Sequence, residues 1–398
     1  MTRSVAHTSA NAVHQLTILA FLIALCIPSV TQLAGINPSV PLQENESPPL
    51  PGFSPDLQTL GQTVYSLRRN WLDRNFGLRK LLVRWETMLD VRVLGASMPS
   101  DPVLAGKDGW LYLAQENPSL NVISDYRAIA PLTPEQLRTW VTVYTARRDW
   151  LASLGIRYLV VVAPNKASIY PENIPERFNK SRKTSKLDQM VNALEAAGVD
   201  ILDLRPALLD AKDKGKAYYS TDSHWTPFGA FFAYRAVAER LKRYFPSFTP
   251  LPACDFVFTE RPGLKRGLSY MIAMGDLYLE NQVIVTPRVP LKAREEMGGQ
   301  AELNHFQPLS AYVQADQALP RALIFRDSFL HEMMPFLAEH FSRIYLIWPY
   351  PTSANKIRDF DTEAILREKP DIVIDEFVER YFTQPPPPSA LDNLPTSP

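Results

Sequence analysis

The stretch that most limits the fold is Arg157-Tyr158-Leu159-Val160-Val161-Val162-Ala163, which after its first residue has no polar position on either face. A strand of that kind cannot give one side to water, so both faces must be covered, as in a parallel sheet between helices. Its surroundings fit. Thr133-Pro134-Glu135-Gln136 is a capping box with proline at the first helical position, opening a helix that stops near Gly155. Residues 185–197 are helical by period and closed by Gly198, 199–204 read as a strand, and 226–244 as a helix. Further strands are expected at 322–325, 344–348 and 372–374, with helices between them, one of them over 329–341. This succession predicts an α/β fold, a doubly wound and mostly parallel sheet, running from about Pro102 to Phe382. Residues 251–319 interrupt it with short β-like pieces such as 282–286 and read as an insertion.

Ahead of that domain, residues 1–14 are polar with Arg3 as the only full positive charge, and 16–27 are apolar apart from Thr17. Extended through Leu33 the run reaches the lower limit of about 17 residues for a membrane-spanning helix, and segment 15–35 reads as an uncleaved anchor. A cleaved signal peptide is the alternative, and both readings put the rest of the chain outside the cytoplasm. Residues 36–57, with Pro38, Pro41, Pro48, Pro49, Pro51 and Pro55, form a semi-rigid linker. Residues 58–99 form a helical extension with Arg68, Arg69, Arg74, Arg79, Lys80 and Arg84, a basic face either solvated or in contact with lipid phosphates. The α/β domain then spans 100–382, and 383–398, with four consecutive prolines, is a disordered tail.

The 42 basic residues balance the 42 acidic ones, so no global field calls for nucleic acid as partner. Of the two cysteines, Cys26 sits in the apolar segment, which leaves no disulfide between folded parts. With no Cys-x-x-Cys and no His-Glu-x-x-His, a zinc hydrolase is not indicated, and no metal or cofactor is expected.

Chemistry concentrates in two places. Asp222 lies two residues before His224, and in an extended segment both side chains point the same way. The carboxylate can then hold one imidazole nitrogen and stabilise the imidazolium that forms when the other takes a proton. The plainer reading is an Asx-turn before a helix capped by Thr226 with Pro227 at its first position. Later, the apolar strand before Arg326 ends abruptly at Asp327-Ser328. A serine at a strand-to-helix turn has backbone N–H groups around an exposed hydroxyl, which suits a nucleophile; alternatively Asp327 or Ser328 only caps the helix. With Ser328 as nucleophile, His224 as base and Asp222 as orienting group, an acyl-enzyme can form. The backbone N–H of Ser328 or its neighbour is a donor for the oxyanion. Asn165 is a second, with a turn role as its rival.

Thr221-Asp222-Ser223-His224-Trp225-Thr226-Pro227, followed by Arg326-Asp327-Ser328-Phe329, resembles the alginate O-acetyltransferase family, the AlgJ and AlgX type of SGNH-hydrolase-like proteins. Gly106-Lys107-Asp108-Gly109-Trp110-Leu111-Tyr112 and Ala163-Pro164-Asn165-Lys166-Ala167-Ser168-Ile169-Tyr170-Pro171 are similar to two more of its motifs, as are 75–80 and 370–376. The resemblance covers about residues 60–382, and the Asp, His, Ser chain order is similar to that family's permuted order. It implies an inner-membrane-anchored, periplasm-facing O-acetyltransferase acting on an exported polysaccharide, supplied with acetyl groups by a membrane acyltransferase of the MBOAT type. Lys166 and Tyr170 fall in a family-like loop and either contact substrate or hold the loop down. Trp225, with Tyr218 and Tyr219, either stacks on sugar rings or packs under the helix that follows. Arg326 stands where relatives often have glycine or another small residue; an arginine there can meet a carboxylated sugar. An acetyl esterase using the same three residues and a non-catalytic polysaccharide-binding export scaffold are the alternatives.

Overall fold

Apolar, β-branched runs build the sheet, and capped amphipathic segments cover it. The computed structural model describes residues 2–35, 77–89, 102–117, 120–264, 267–297, 310–350, 359–387 and 390–391. They group into two compact units, residues 1–97 with 269–278 and residues 98–268 with 279–398. The linker expected at 36–57, residues 58–76 and 90–99 of the helical extension, and the tail beyond 391 lie outside the described residues.

In the first unit, α1 spans Thr2–Leu33 and α2 spans Arg79–Leu89. The apolar part of α1, His14–Leu33, is long enough to cross a membrane, and none of it is buried against protein.

In the second unit the α-helices longer than five residues are α3 (Pro134–Ser153), α4 (Lys186–Ala196), α5 (Arg205–Lys214), α6 (Pro227–Leu241) and α7 (Thr362–Glu368). Beyond two small hairpins within residues 103–121, the strands are β1 (Arg157–Ala163), β2 (Ile201–Asp203), β3 (Phe256–Leu264), β4 (Glu280–Pro287), β5 (Arg294–Met297), β6 (Ser310–Val313), β7 (Arg321–Phe325), β8 (Arg343–Ile347) and β9 (Ile372–Val378). Seven of these form one sheet in the order β2-β1-β9-β7-β8-β6-β5. The pairings from β2 to β8 are parallel, whereas β8–β6 and β6–β5 are antiparallel. The sheet is therefore mixed, with a parallel centre. Strands β1 and β9 are buried at almost every position, and helices cover them as such strands require: α3 packs with α4, and α5 with α6.

Three expectations change. Residues 251–319 are not wholly an insertion: β3 and β4 make a separate antiparallel hairpin, but β5 and β6 extend the main sheet at its edge. Edge strands of four residues carry no long apolar run to betray them. The helix expected over 329–341 is broken into 3₁₀ turns at Ser328–Met333 and Ala338–His340 around one α turn, Met334–Leu337. Pro335 lacks an N–H and clashes with the carbonyl four residues back, which prevents a continuous helix. Strand β9 runs past Ile374 through Asp375 and Glu376, because both carboxylates find donors. Asp375 Oδ2 accepts from Arg147 Nη1 (3.3 Å) and Tyr158 OH (3.1 Å), and Glu376 Oε2 accepts from the Asp327 N–H (3.1 Å).

His340 is buried beside α6, with Nε2 2.7 Å from Tyr234 OH and its ring stacked on Tyr234 and Phe248. Burial pushes its pKa down to about 4. The unfolded chain protonates this group near its ordinary value, so its contribution to stability is present above about pH 6.5 and lost as pH falls toward 4. The urea midpoint of the wild type should fall more steeply between pH 6.5 and 4 than that of His340→Leu; parallel curves would show that His340 does not titrate on unfolding.

Candidate active site

The site begins with a buried carboxylate. Asp327, 1% exposed, donates its N–H to Glu376, accepts from the Val378 N–H at Oδ2 (2.8 Å) and accepts from the Phe329 N–H at Oδ1 (2.8 Å). It thus ties the end of β7 to β9 and caps the turn that starts at Ser328. The capping reading is correct for Asp327, and it leaves the Ser328 hydroxyl unengaged by the cap. It also removes the Phe329 N–H as an oxyanion donor, so the Ser328 N–H, in the unsatisfied first turn, is the nearer candidate.

His224 reaches Ser328 from the loop before α6. That loop stops at Thr226, whose hydroxyl accepts from the Gly229 N–H (3.2 Å), with Pro227 as the first helical residue. His224 Nε2 is 2.7 Å from Ser328 Oγ, and His224 Nδ1 is 2.7 Å from Asp222 Oδ1. The same Oδ1 accepts the His224 backbone N–H at 3.1 Å. The Asx-turn and the imidazole contact are therefore both present rather than rivals. A carboxylate at Nδ1 keeps the proton there and leaves Nε2 as acceptor for the serine O–H. Asp222 is buried, while Ser328 and His224 are partly open to solvent.

Two opposite charges hold the loop that carries Asp222. Lys166, 3% exposed, donates from Nζ to the carbonyls of Tyr219 (3.0 Å), Ser220 (2.9 Å) and Asp222 (2.5 Å). Its ammonium also lies against the rings of Trp110 and Tyr112. Glu280, at the start of β4, accepts from the N–H and hydroxyl of Ser220 and of Thr221, and pairs with Lys216 at 2.6 Å. Burial opposes its charge, but these partners outweigh it and hold its pKa below the usual carboxylate value. Glu280 has no spacing relation to the Asp-x-His motif and no apolar pattern around it, so sequence reasoning had no means of finding it.

Several expected substrate contacts are corrected. Lys166 is spent on backbone carbonyls. Tyr170 is buried, its hydroxyl accepting from the Ala217 N–H (3.0 Å) and its carbonyl from Tyr112 OH (2.7 Å). Both hold the loop down. Trp225 is 1% exposed, edge-on to Phe329 with 5.0 Å between ring centres, and Tyr218 and Tyr219 are buried with it, so none offers a ring face to a sugar. Arg326 is 6% exposed with its guanidinium 5.7 Å from the Trp348 ring; burial lowers its pKa, and among the described residues Nε and Nη1 have no hydrogen-bond partner. Asn165 follows β1, two strands from β7 and so about 10 Å across the sheet at strand spacing. Its N–H donates to Glu379 (2.7 Å) and its Oδ1 accepts from Arg380 (3.3 Å), residues that sequence reasoning also missed. Among the described residues no group of three His, Cys, Asp or Glu is arranged to hold a metal ion.

Residues 103–293 match the family described as "SGNH hydrolase-like domain, acetyltransferase AlgX". Residues 103–293 are thus similar to the AlgJ/AlgX type of domain. The match includes Asp222 and His224, while Ser328 lies beyond it. The chain is 30% identical over 195 residues to a probable alginate O-acetylase AlgJ of Pseudomonas aeruginosa, covering 48% of this chain and 45% of that protein. It is 29% identical over 177 residues to the alginate biosynthesis protein AlgX of Azotobacter vinelandii, covering 43% and 34%. The matched stretch thus spans less than half the length of these curated relatives. Among solved structures, Bacillus cereus PatB1 with a sulfonyl adduct aligns with a TM-score of 0.55 at 14% identity, covering 73% of this chain and all of that one. A DHHW family protein from Eubacterium siraeum aligns at 0.51 with 15% identity, covering 75% and 96%. At such identities the likeness to these two structures is one of fold.

Burial drives the pKa of Lys166 down to about 7, against the pull of Asp222 and Glu280. Unfolding returns it to its ordinary value near 10.5, so the unfolded chain binds more protons between those limits and this group's penalty is relieved as pH rises through them. The stability of the wild type relative to Lys166→Met should increase from pH 7 to 9 in urea titrations. A pH-independent difference would mean that the ammonium is not desolvated.

Proposed function

We propose that this chain is an O-acetyltransferase that moves acetyl groups onto hydroxyls of an exported polysaccharide through an acetyl-serine intermediate at Ser328. The observation that carries the reading is the pair of 2.7 Å contacts that joins Ser328, His224 and Asp222. The names of the relatives support acetyl transfer and a polymer of the alginate kind as acceptor.

In the first half-reaction His224 Nε2 takes the hydroxyl proton as Ser328 Oγ attacks the acetyl carbonyl carbon. The bond to the donor's oxygen or sulfur breaks, and the imidazolium returns the proton to that leaving group. In the second half His224 deprotonates a sugar hydroxyl, which attacks the acetyl-serine; the sugar ester forms and Ser328 recovers its proton. Asp222 stabilises the imidazolium in both halves. The Ser328 N–H is the donor for the tetrahedral oxyanion. The donor is an acetyl carrier served by a membrane acyltransferase of the MBOAT type, and α1 anchors the chain in the inner membrane with the domain on the periplasmic side. The partial exposure of His224 favours one second reading, in which water takes the place of the sugar and the chain is an esterase.

The full chain in detergent, given p-nitrophenyl acetate with and without uronate oligosaccharides, separates these readings by mass spectrometry of protein and sugar. Acetylated oligosaccharide from the wild type marks the transferase; acetate alone marks the esterase. Ser328→Ala should lose at least about a thousandfold in turnover and Asp222→Asn a comparable factor. Retention of wild-type turnover by Ser328→Ala would overturn both readings.

A further inference from the structure

We infer that α2 is an interfacial helix that lies in the headgroup region of the bilayer through Leu82, Trp85 and Leu89, an inference that rests on reading α1 as a membrane span. Helices on protein surfaces bury their apolar stripe and show their charges. α2 instead leaves an apolar stripe open to its surroundings, with Glu86 exposed beside it and Leu81, Val83 and Met88 half-buried. Leu82, Trp85 and Leu89, spaced three and four residues apart and so on one face, are 45%, 62% and 52% exposed. On another side of the helix Arg84 is only 19% exposed and its Nη2 meets Asp276 at 2.9 Å. Rolling the stripe inward would break that ion pair. Leu277, beside Asp276, is 42% exposed and adds apolar surface to the same unit.

What covers the stripe follows from where α2 begins. A Cβ on Gly77 would come within 2.2 Å of the Pro28 carbonyl oxygen, 2.4 Å of Thr31 Oγ1 and 2.7 Å of the Gln32 nitrogen. Only a glycine lets the chain pass this close to the last turns of α1. Leu78 then takes a left-handed φ of 63°, turning the chain sharply into α2. The 20 residues of His14–Leu33 amount to about 30 Å of helix, the thickness of the hydrocarbon core, so their C-terminal end lies at the headgroups. α2 therefore starts at that depth. A tryptophan between two leucines suits the headgroup–acyl boundary, and Arg79 and Lys80 in the first turn suit lipid phosphates.

The test uses the full chain with Cys26→Ser and Cys254→Ser and one new cysteine, Trp85→Cys, Glu86→Cys or Phe21→Cys, carrying an environment-sensitive nitrobenzoxadiazole label. Each is reconstituted into vesicles of phosphatidylethanolamine and phosphatidylglycerol. At position 85 the emission should be blue-shifted, quenched several-fold more by lipids spin-labelled near the headgroup than near the chain end, and little affected by aqueous iodide. Position 86, beside the stripe, should be more open to iodide. The label at position 21 reports the anchor independently and should be quenched by chain-end spin labels. If position 21 lies in hydrocarbon but position 85 is quenched only by iodide, the inference fails while the anchor stands. If position 85 is shielded from both quenchers, a protein surface covers the stripe and the lipid assignment is overturned. If position 21 is also aqueous, the anchor and the inference fall together.

Discussion

The carboxylate of Asp327 is the interaction on which the site depends. Its two oxygens accept N–H groups from Val378 and Phe329, and its own N–H goes to Glu376, all within the buried parallel centre of the sheet. Bonds to a charged acceptor contribute about 1.5–3 kcal/mol each, and without the carboxylate two buried N–H groups would be stranded. The end of β7 is thereby joined to its neighbour at the point where the chain leaves the sheet. Ser328 is presented by a rigid strand end, as in open α/β sheets whose ligands bind beyond the carboxyl ends of the strands.

The other half of the site comes from a loop without regular structure, and buried charge does for it what strand pairing does for Ser328. Lys166 gathers three carbonyls of residues 219–222, and Glu280 gathers the N–H and hydroxyl groups of Ser220 and Thr221. One side chain satisfies acceptors and the other donors, so the segment before His224 is fixed from two sides. This explains why a lysine with its pKa lowered by burial is kept in so apolar a place.

The parallel centre of the sheet was legible in the sequence because strands buried on both faces are written as unbroken apolar runs, as in Arg157–Ala163. Capping chemistry likewise announced α3 and α6. The edge was not legible: Arg294–Met297 and Ser310–Val313 are short, half-polar and paired only through the fold. Asp222, His224 and Ser328 could be named from local signals, a two-residue spacing and a strand that stops at Asp-Ser. Glu280 and Arg380 could not, since the residues that their side chains hydrogen-bond lie 59 or more residues away in sequence. Trp225, next to His224 in sequence, and Lys166 both turn inward, because a loop that must be rigid needs its own core.

Asp222 Oδ1 receives both the backbone N–H and the imidazole of His224. Shape and charge at this position are thus a single property. A glutamate would carry the same charge, but its extra methylene cannot close the two-residue turn, and an asparagine would keep the turn yet fail to stabilise an imidazolium. The spacing between these two residues is for the same reason inelastic: one inserted residue would part the acceptor from both donors at once.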